Sequence, residues 1–302
     1  MKVSVCIATY RRSDRLALLL GDLACQETLP AEVVVVDNDS DRSAATTVER
    51  FAKSGVPFPV RYAVQPQKNI ALTRNMTVQL AHEDWLAFVD DDERAPSAWL
   101  RRLTDAATDF RADVVLGPVE PVVPEEAPTW IRRGRFYDFP RLHTGAVVPP
   151  NRLRFGNLIV RGALVRALGA SPFDPAYGLT GGEDGDLLAR LALRGARIVW
   201  CDEAIVKEPI EKSRLCLKWL LRRNMRGGQD FARHLLSGRY GRRIASRPRL
   251  FARALLQMLV AIVLTVLVLP FGRHHAAHWL TKASANLGKL SLFFGWHYRE
   301  YA

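Results

Sequence analysis

Four consecutive acids, Asp90-Asp91-Asp92-Glu93, follow the apolar run Trp85-Leu-Ala-Phe-Val89. Adjacent carboxylates repel, so gathering them is costly unless a cation neutralises them. Hard oxygen ligands of this kind suit Mg2+ or Mn2+, ions usually held by one or two carboxylates together with substrate phosphate oxygens. A solvated turn is the plainer explanation, and the acid density argues against it. A second constellation is Gly181-Gly182-Glu183-Asp184-Gly185-Asp186. Its glycines allow a ligand close to the backbone, and its acids open a helix. The helix dipole stabilises acids in a first turn whatever their use. It also keeps a carboxylate ionised, as a general base must be. Spacing alone leaves both explanations of this second group open.

These acids matter only if the fold gathers them. Val3–Ala8 is a short β-branched run of the buried-strand kind, and Ser13 is placed to cap a helix built on Leu16, Leu19, Leu20 and Leu23. Glu32–Val36 is a second strand, with four valines and no polar alternation, as suits a strand covered on both faces. The rhythm continues with a helix near Val48–Lys53, a strand near Val60–Val64, a helix near Ala71–Ala81 and a strand at Trp85–Val89. A helix after Pro96, a strand at Asp113–Leu116, helices at Gly162–Leu168 and Glu183–Leu193, and a last strand at Ala196–Trp200 complete it. Such alternation predicts an α/β fold with a mainly parallel sheet. The stretch from Pro118 to Pro150 holds seven prolines and is expected to be a long loop or small subsheet. In an open parallel sheet, ligands bind at the carboxyl ends of the strands. Thr9-Tyr10, Asp37 and Asp90–Glu93 all sit at strand ends and are expected to converge on one crevice.

The chain has 302 residues, 48% of them hydrophobic and 25% charged, which excludes disordered and low-complexity classes. Lys212 to Arg253 carries 13 basic side chains against one acid, Asp230, equal to the net +12 of the whole chain. The protein is a neutral body with a basic belt. Beyond Arg253, Ala254–Leu269 is sixteen residues without a charge. As a helix this is about 24 Å long, against a hydrocarbon core of ~30 Å. The basic flank and Trp279, Trp296, Tyr298 and Tyr301 downstream point to a membrane-inserted tail. A short span and a re-entrant hairpin both fit. The four cysteines lack metal-finger spacing and suit a reducing compartment. The short apolar run at the start leads into Arg11 and Arg12 and does not read as a secretory signal.

No P-loop or dinucleotide-binding fingerprint is present. Instead Val-Ser-Val-Cys-Ile-Ala-Thr-Tyr-Arg-Arg (3–12), Val-Val-Val-Val-Asp-Asn-Asp-Ser (33–40), Asn69-Ile-Ala-Leu-Thr-Arg-Asn75, Phe88-Val-Asp-Asp-Asp-Glu93 and Gly181-Gly-Glu-Asp184 resemble, in order and spacing, a family 2 glycosyltransferase of GT-A fold. The likeness covers roughly residues 1–211. The tail from Trp219 to Tyr301 resembles the bacterial subgroup of succinoglycan-type glucosyltransferases, which build repeat units on a polyprenyl diphosphate carrier.

That resemblance implies a catalytic domain over 1–211 and a basic, helical, membrane-associated region over 212–302, on the cytoplasmic face of a bacterial inner membrane. It implies that Ala8, Thr9, Tyr10 and Arg12 line the nucleotide pocket and that Asp37 accepts from the uracil ring. Arg74 would lie near the diphosphate. Asp90 and Asp92 would form the D-x-D pair, one near the ribose and one on Mg2+ or Mn2+, with Asp91 on the donor side. Asp184 would deprotonate the acceptor hydroxyl, Glu183 would orient the acceptor, and the outcome would be inversion. The donor would be a nucleotide-sugar, in the family pattern a UDP-sugar, and the acceptor a polyprenyl-diphosphate-linked saccharide. Many relatives carry a metal-binding His after the last strand; Lys207 and Glu208 stand there in this chain, and Glu208 would be the substitute ligand. The Q-x-x-R-W motif of processive synthases is replaced by Gln229-Asp-Phe-Ala-Arg233, which favours single addition. A sugar nucleotidyltransferase would need a glycine-rich loop after the first strand, and Thr9–Ser13 has no glycine. Nucleic-acid binding by the belt would leave the apolar run unexplained, so nucleic acid is not an expected partner.

Overall fold

The computed structural model describes residues 1–239 and 247–298; Tyr240, Arg242, Arg243 and Tyr301 lie outside the described residues. In chain order the strands are β1 (Val3–Thr9), β2 (Glu32–Asp37), β3 (Val60–Val64), β4 (Trp85–Val89), β5 (Val114–Leu116), β6 (Val119–Val122), β7 (Asn157–Arg161), β8 (Ile198–Trp200) and β9 (Val206–Pro209). The helices are α1 (Ser13–Ala24), α2 (Ala45–Ala52), α3 (Ile70–Leu80), α4 (Trp99–Asp109), α5 (Thr129–Gly134), α6 (Gly162–Arg166), α7 (Glu183–Leu193), α8 (Leu217–Leu236), α9 (Arg247–Val268) and α10 (Arg273–Ser291). The chain forms two compact units, Met1–Glu120 with Pro140–Glu208, and Pro121–Phe139 with the chain from Pro209 onward.

In the first unit seven strands form one sheet in the order β3-β2-β1-β4-β7-β5-β8. Strand β7 runs antiparallel to β4 and β5, and the other neighbours are parallel. The chain leaves β1 towards β2 and β3, then returns to place β4 on the other side of β1. That reversal opens a crevice at the carboxyl ends of β1, β2 and β4. All six residues of β2 are buried, as its unbroken valines predict. Alternate side chains of the strands face opposite sides. Val3, Val5 and Ile7 pack against Leu16, Leu19 and Leu20 of α1 and Trp99 and Leu103 of α4. Cys6, Val34 and Val36 share the opposite core with Val78 of α3, Val165 of α6 and Leu187 and Leu188 of α7. Helices therefore cover both faces, and the mixed, mainly parallel α/β architecture expected from the sequence is the one observed.

Three local expectations need correction. Ser13 is the first helical residue of α1, not its cap; Arg12 holds that position and no side chain caps the helix. Strand β7 lies in the middle of the sheet, where sequence pattern shows only five residues between Gly156 and Gly162, too few to declare a period. Strand β9 follows β8 and pairs with β6 in a separate two-stranded sheet. The proline-rich stretch takes the small-subsheet form that the sequence allowed, through β6, and also contains α5. Within it, Ile131 and Tyr137 share a small core with Ile210 and Leu220, all in the second unit.

In the second unit α10 packs against both α8 and α9. A Cβ on Gly228 would meet the Ala285 carbonyl oxygen at 1.9 Å, and one on Gly288 the Met225 carbonyl oxygen at 2.0 Å, so both glycines are required for the α8–α10 approach. Gln229 donates to Ser291 Oγ at 2.6 Å and to the Trp296 carbonyl at 3.0 Å, which commits it to this bundle.

Candidate active site

The segment Asn69–Asn75 positions the central residue. Asn69 caps α3 by accepting from the Leu72 amide at 3.0 Å, and its own amide donates to Asn38 Oδ1 at 2.9 Å. Asn38 in turn donates to the Gln65 and Gln67 carbonyls. At the next turn Asn75 donates to the Phe173 carbonyl at 2.7 Å and accepts from the Phe173 amide at 2.8 Å. Helix α3 is thus tied at one point to the loop after β2 and at another to the chain leading into α7. Arg74 is held between them, with its guanidinium 4.5 Å from the Phe155 ring centroid and 6.0 Å from that of Phe173.

From there Arg74 Nη2 donates to Asp90 Oδ1 at 3.0 Å, and Nη1 donates to Glu183 Oε1 at 2.5 Å. Asp184 Oδ2 lies 3.8 Å from the same Nη1. The strand-end acids and the helix-opening acids therefore meet at one guanidinium. Gly182, at φ 97°, turns the chain into α7 so that Glu183 and Asp184 both start the helix. Exposure separates their capacities. Glu183 is 2% exposed, whereas the Asp184 and Asp90 side chains are 36% and 44% exposed. Asp184 also accepts from the Gly185 amide at 2.6 Å, which fixes its direction. Asp186 turns inward to Arg190 at 2.6 Å.

The acid run divides in the same way. Asp91 points towards β1, accepting from Thr9 Oγ1 at 2.8 Å and from Arg12 Nη1 at 2.9 Å. Burial pushes its carboxyl up to about 6, with Arg12 opposing and Asp92 adding to the rise. Asp92 Oδ2 faces Arg12 at 3.1 Å and Arg15 at 3.6 Å. Glu93 is buried and accepts from the Asp90 amide at 3.2 Å. Burial, and then the charges of Asp90, Asp92 and Glu208, push its carboxyl well above the usual range. Glu208, on β9, is half-buried.

Whether these groups suit a divalent ion can be tested on their chemistry. Among the described residues no group of three or more His, Cys, Asp or Glu forms a ready metal centre. A hypothetical Cβ on Gly156 would lie 3.0 Å from Glu93 Oε1 and 3.2 Å from Asp90 Oδ2, so two carboxylates converge on a point that only glycine leaves open. The nearby donors are all oxygen and repel one another, which fits Mg2+ or Mn2+ bound partly through substrate oxygens.

Of the other expected residues, Ala8 and Tyr10 are half-buried at the end of β1, with Arg11 and Lys68 5.3 and 5.0 Å from the Tyr10 ring centroid. Asp37 is turned inwards. It is fully buried; Oδ1 accepts from the Asp39 amide, and Oδ2 from the Ala44 amide and Tyr62 hydroxyl. Its carboxylate builds the loop after β2. Sequence reasoning gathered Glu93 into the acid run without giving it a role of its own, and passed over Arg15, Asn75 and the rings of Phe155 and Phe173. A signal existed for one of these, since Asn69 and Asn75 bracket Arg74 within a single helical stretch.

Residues 4–164 match the family described as glycosyl transferase family 2. The chain belongs to this family. As a family 2 glycosyltransferase it is 35% identical over 251 residues to the succinoglycan biosynthesis protein ExoM of Rhizobium meliloti (strain 1021), covering 81% of this chain and 79% of that one. Its fold is similar to the mannosyltransferase PcManGT from Pyrobaculum calidifontis, solved in complex with GDP-Man and Mn2+. That match has a TM-score of 0.66 and 18% identity, covering 98% of this chain and 87% of that one. S. aureus TarS 1-349 in complex with UDP matches with a TM-score of 0.56 and 20% identity, covering 99% of this chain and 93% of that one. The family 2 glycosyltransferase thus has the GT-A architecture that its five motifs imply.

Proposed function

We propose that this enzyme transfers one sugar from a nucleotide-sugar to a lipid-linked saccharide during assembly of a succinoglycan-type bacterial exopolysaccharide, with inversion at the anomeric carbon. The observation that carries the reading is the single guanidinium of Arg74 joining Asp90 to Glu183 and Asp184. It brings donor-side and acceptor-side acids to one place at the carboxyl ends of the strands. Likeness to ExoM supports the polysaccharide context.

Ala8, Thr9, Tyr10 and Arg12 bind the nucleotide, with Thr9 and Arg12 acting through the carboxylate of Asp91. Asp90, Asp92 and Glu208 would hold a divalent ion, and Mn2+ in the PcManGT complex supports the use of such an ion. When bound, the ion supplies positive charge beside the diphosphate. Asp184, half-exposed at the start of α7, takes the proton of the acceptor hydroxyl as that oxygen bonds to the anomeric carbon. The bond from that carbon to the diphosphate oxygen breaks, and its electron pair leaves with the nucleoside diphosphate. Arg74 meets part of that charge, and Glu183 fixes Arg74. The departure from Q-x-x-R-W at Gln229–Arg233 supports one addition per acceptor. Residues 1–211 carry the catalysis and 212–302 attach the enzyme to the cytoplasmic face of the inner membrane.

A thermal-shift scan of UDP- and GDP-sugars with Mn2+ tests this reading. One donor is expected to raise the melting temperature only when Mn2+ is present, and less so in Asp90→Asn. No shift with any nucleotide-sugar contradicts the proposal.

A further inference from the structure

Among the described residues one helix is long and apolar enough to cross a membrane, and it ends in a turn rather than in a second apolar segment. Helix α9 runs from Arg247 to Val268, Leu269–Phe271 forms a short turn, and α10 starts at once with Arg273. The two helices then pack together as an antiparallel hairpin. Phe251 near the start of α9 meets Phe293 and Phe294, just past the end of α10, with ring centroids 5.2 and 6.4 Å apart. The seam is narrow. On α9 only Leu250, Ala254 and Ala261 are buried, four and seven residues apart, so one stripe faces α10. The rest of α9 is apolar and open: Leu256, Leu259, Val263, Val266 and Leu267 are each more than half exposed, and so is Phe271 of the turn.

What lies behind α9 decides how it can meet a bilayer. Helix α10 carries Arg273, Lys282 and Lys289, and its other side packs on α8, which carries Lys218, Arg222, Arg223 and Arg226. Were α9 to cross the hydrocarbon, α10 would enter with it along its length, and its charges would be drawn into the apolar interior. Lying flat removes the conflict. The open apolar face then sinks into one leaflet and the charged helices stay at headgroup level. Arg247, Arg249 and Arg253 at one end of α9, and Arg273 beyond the other, are complementary to anionic headgroups at both ends of the submerged segment.

We infer that α9 is an in-plane anchor seated in a single leaflet of an anionic bilayer, and that it does not span. This rests on the membrane attachment proposed above and specifies its geometry. The test uses the full chain with the two exposed cysteines, Cys25 and Cys216, replaced by Ser; Cys6 and Cys201 are buried and stay. Single cysteines at Leu256, Val263 and Phe271 carry spin labels, and their depth is read from relaxation by oxygen and by a water-soluble nickel complex. The vesicles contain phosphatidylcholine and phosphatidylglycerol. All three labels are expected at one shallow depth, about 5–10 Å below the headgroups. A graded series, with Val263 near the bilayer centre and Phe271 at the far headgroups, overturns the in-plane geometry and leaves membrane attachment standing. Failure of the labelled chains to bind these vesicles overturns both.

Discussion

Arg74 Nη1 lies 2.5 Å from Glu183 Oε1, in a pair whose side chains are 9% and 2% exposed. Two residues 109 positions apart are thereby joined where water has little access. Removing one partner strands the other charge, a loss of about 3–5 kcal/mol. Arg74→Met is therefore expected to lower stability by that order in urea unfolding. The double variant Arg74→Met with Glu183→Gln should recover much of the stability and none of the activity. Recovered transfer in the double variant would show that the pair is only structural.

Asn157 holds three chain segments at the mouth of the crevice. It accepts from Trp99 Nε1 at 2.8 Å and donates to the Pro118 and Ala204 carbonyls at 2.9 and 2.7 Å, and it is 2% exposed. Its β-pairing partner is Val89, the residue before Asp90. Asn157→Leu leaves the buried Trp99 indole N–H and the Ala204 carbonyl without partners, each costing about 1–3 kcal/mol, while the Pro118 carbonyl keeps the Val206 amide. Chemical denaturation is expected to show a loss of several kcal/mol, and donor affinity should fall because Asp90 and Glu93 lose their support.

Acid stability should report Glu32. Burial opposes its charge, but the His82 amide, Arg61, Ser4 and the His82 ring outweigh it and hold the carboxyl at about 2, below the ordinary 4.5. A depressed folded value means the stabilisation is complete above the unfolded value and is lost as pH falls from about 4.5 towards 2. The shift corresponds to roughly 3 kcal/mol at neutral pH. Urea midpoints of wild type and Glu32→Gln are expected to differ at pH 7 and to converge as the pH falls through that window. A gap that stays constant down to pH 3 would contradict the assignment.

Metal removal should be reversible. Treatment with EDTA is expected to abolish transfer, and Mn2+ or Mg2+ to restore it. In titrations monitored by Mn2+ electron paramagnetic resonance with donor present, Asp90→Asn should weaken binding by about tenfold or more, while Asp184→Asn leaves it unchanged. Equal effects of the two substitutions would remove the division of labour between the acids.

Much of the sheet was readable because its parallel strands are buried on both faces and so appear as unbroken apolar runs, as in Val33–Val36. Strand β7 was not, because Asn157-Leu-Ile-Val-Arg161 is short, and its place between β4 and β5 is set by pairings 42 to 76 residues distant in sequence. The acid clusters were legible as types and spacing. Which acid faces out was not. Asp90 and Asp91 are neighbours in the chain, yet a strand end alternates direction, so one opens to the crevice and the other turns to Thr9 and Arg12. Asp37 shows the same limit: an Asp at a strand end serves equally well as ligand or turn-builder, and its three internal donors are visible only in the fold.

The direct test of the whole account is the initial rate of sugar transfer by Asp184→Asn beside the wild type, with saturating Mn2+ and the donor found by thermal shift. The account predicts that kcat falls about 10²–10⁴-fold, with the donor-induced thermal shift and the folding stability unchanged. Transfer at the wild-type rate by Asp184→Asn would contradict it.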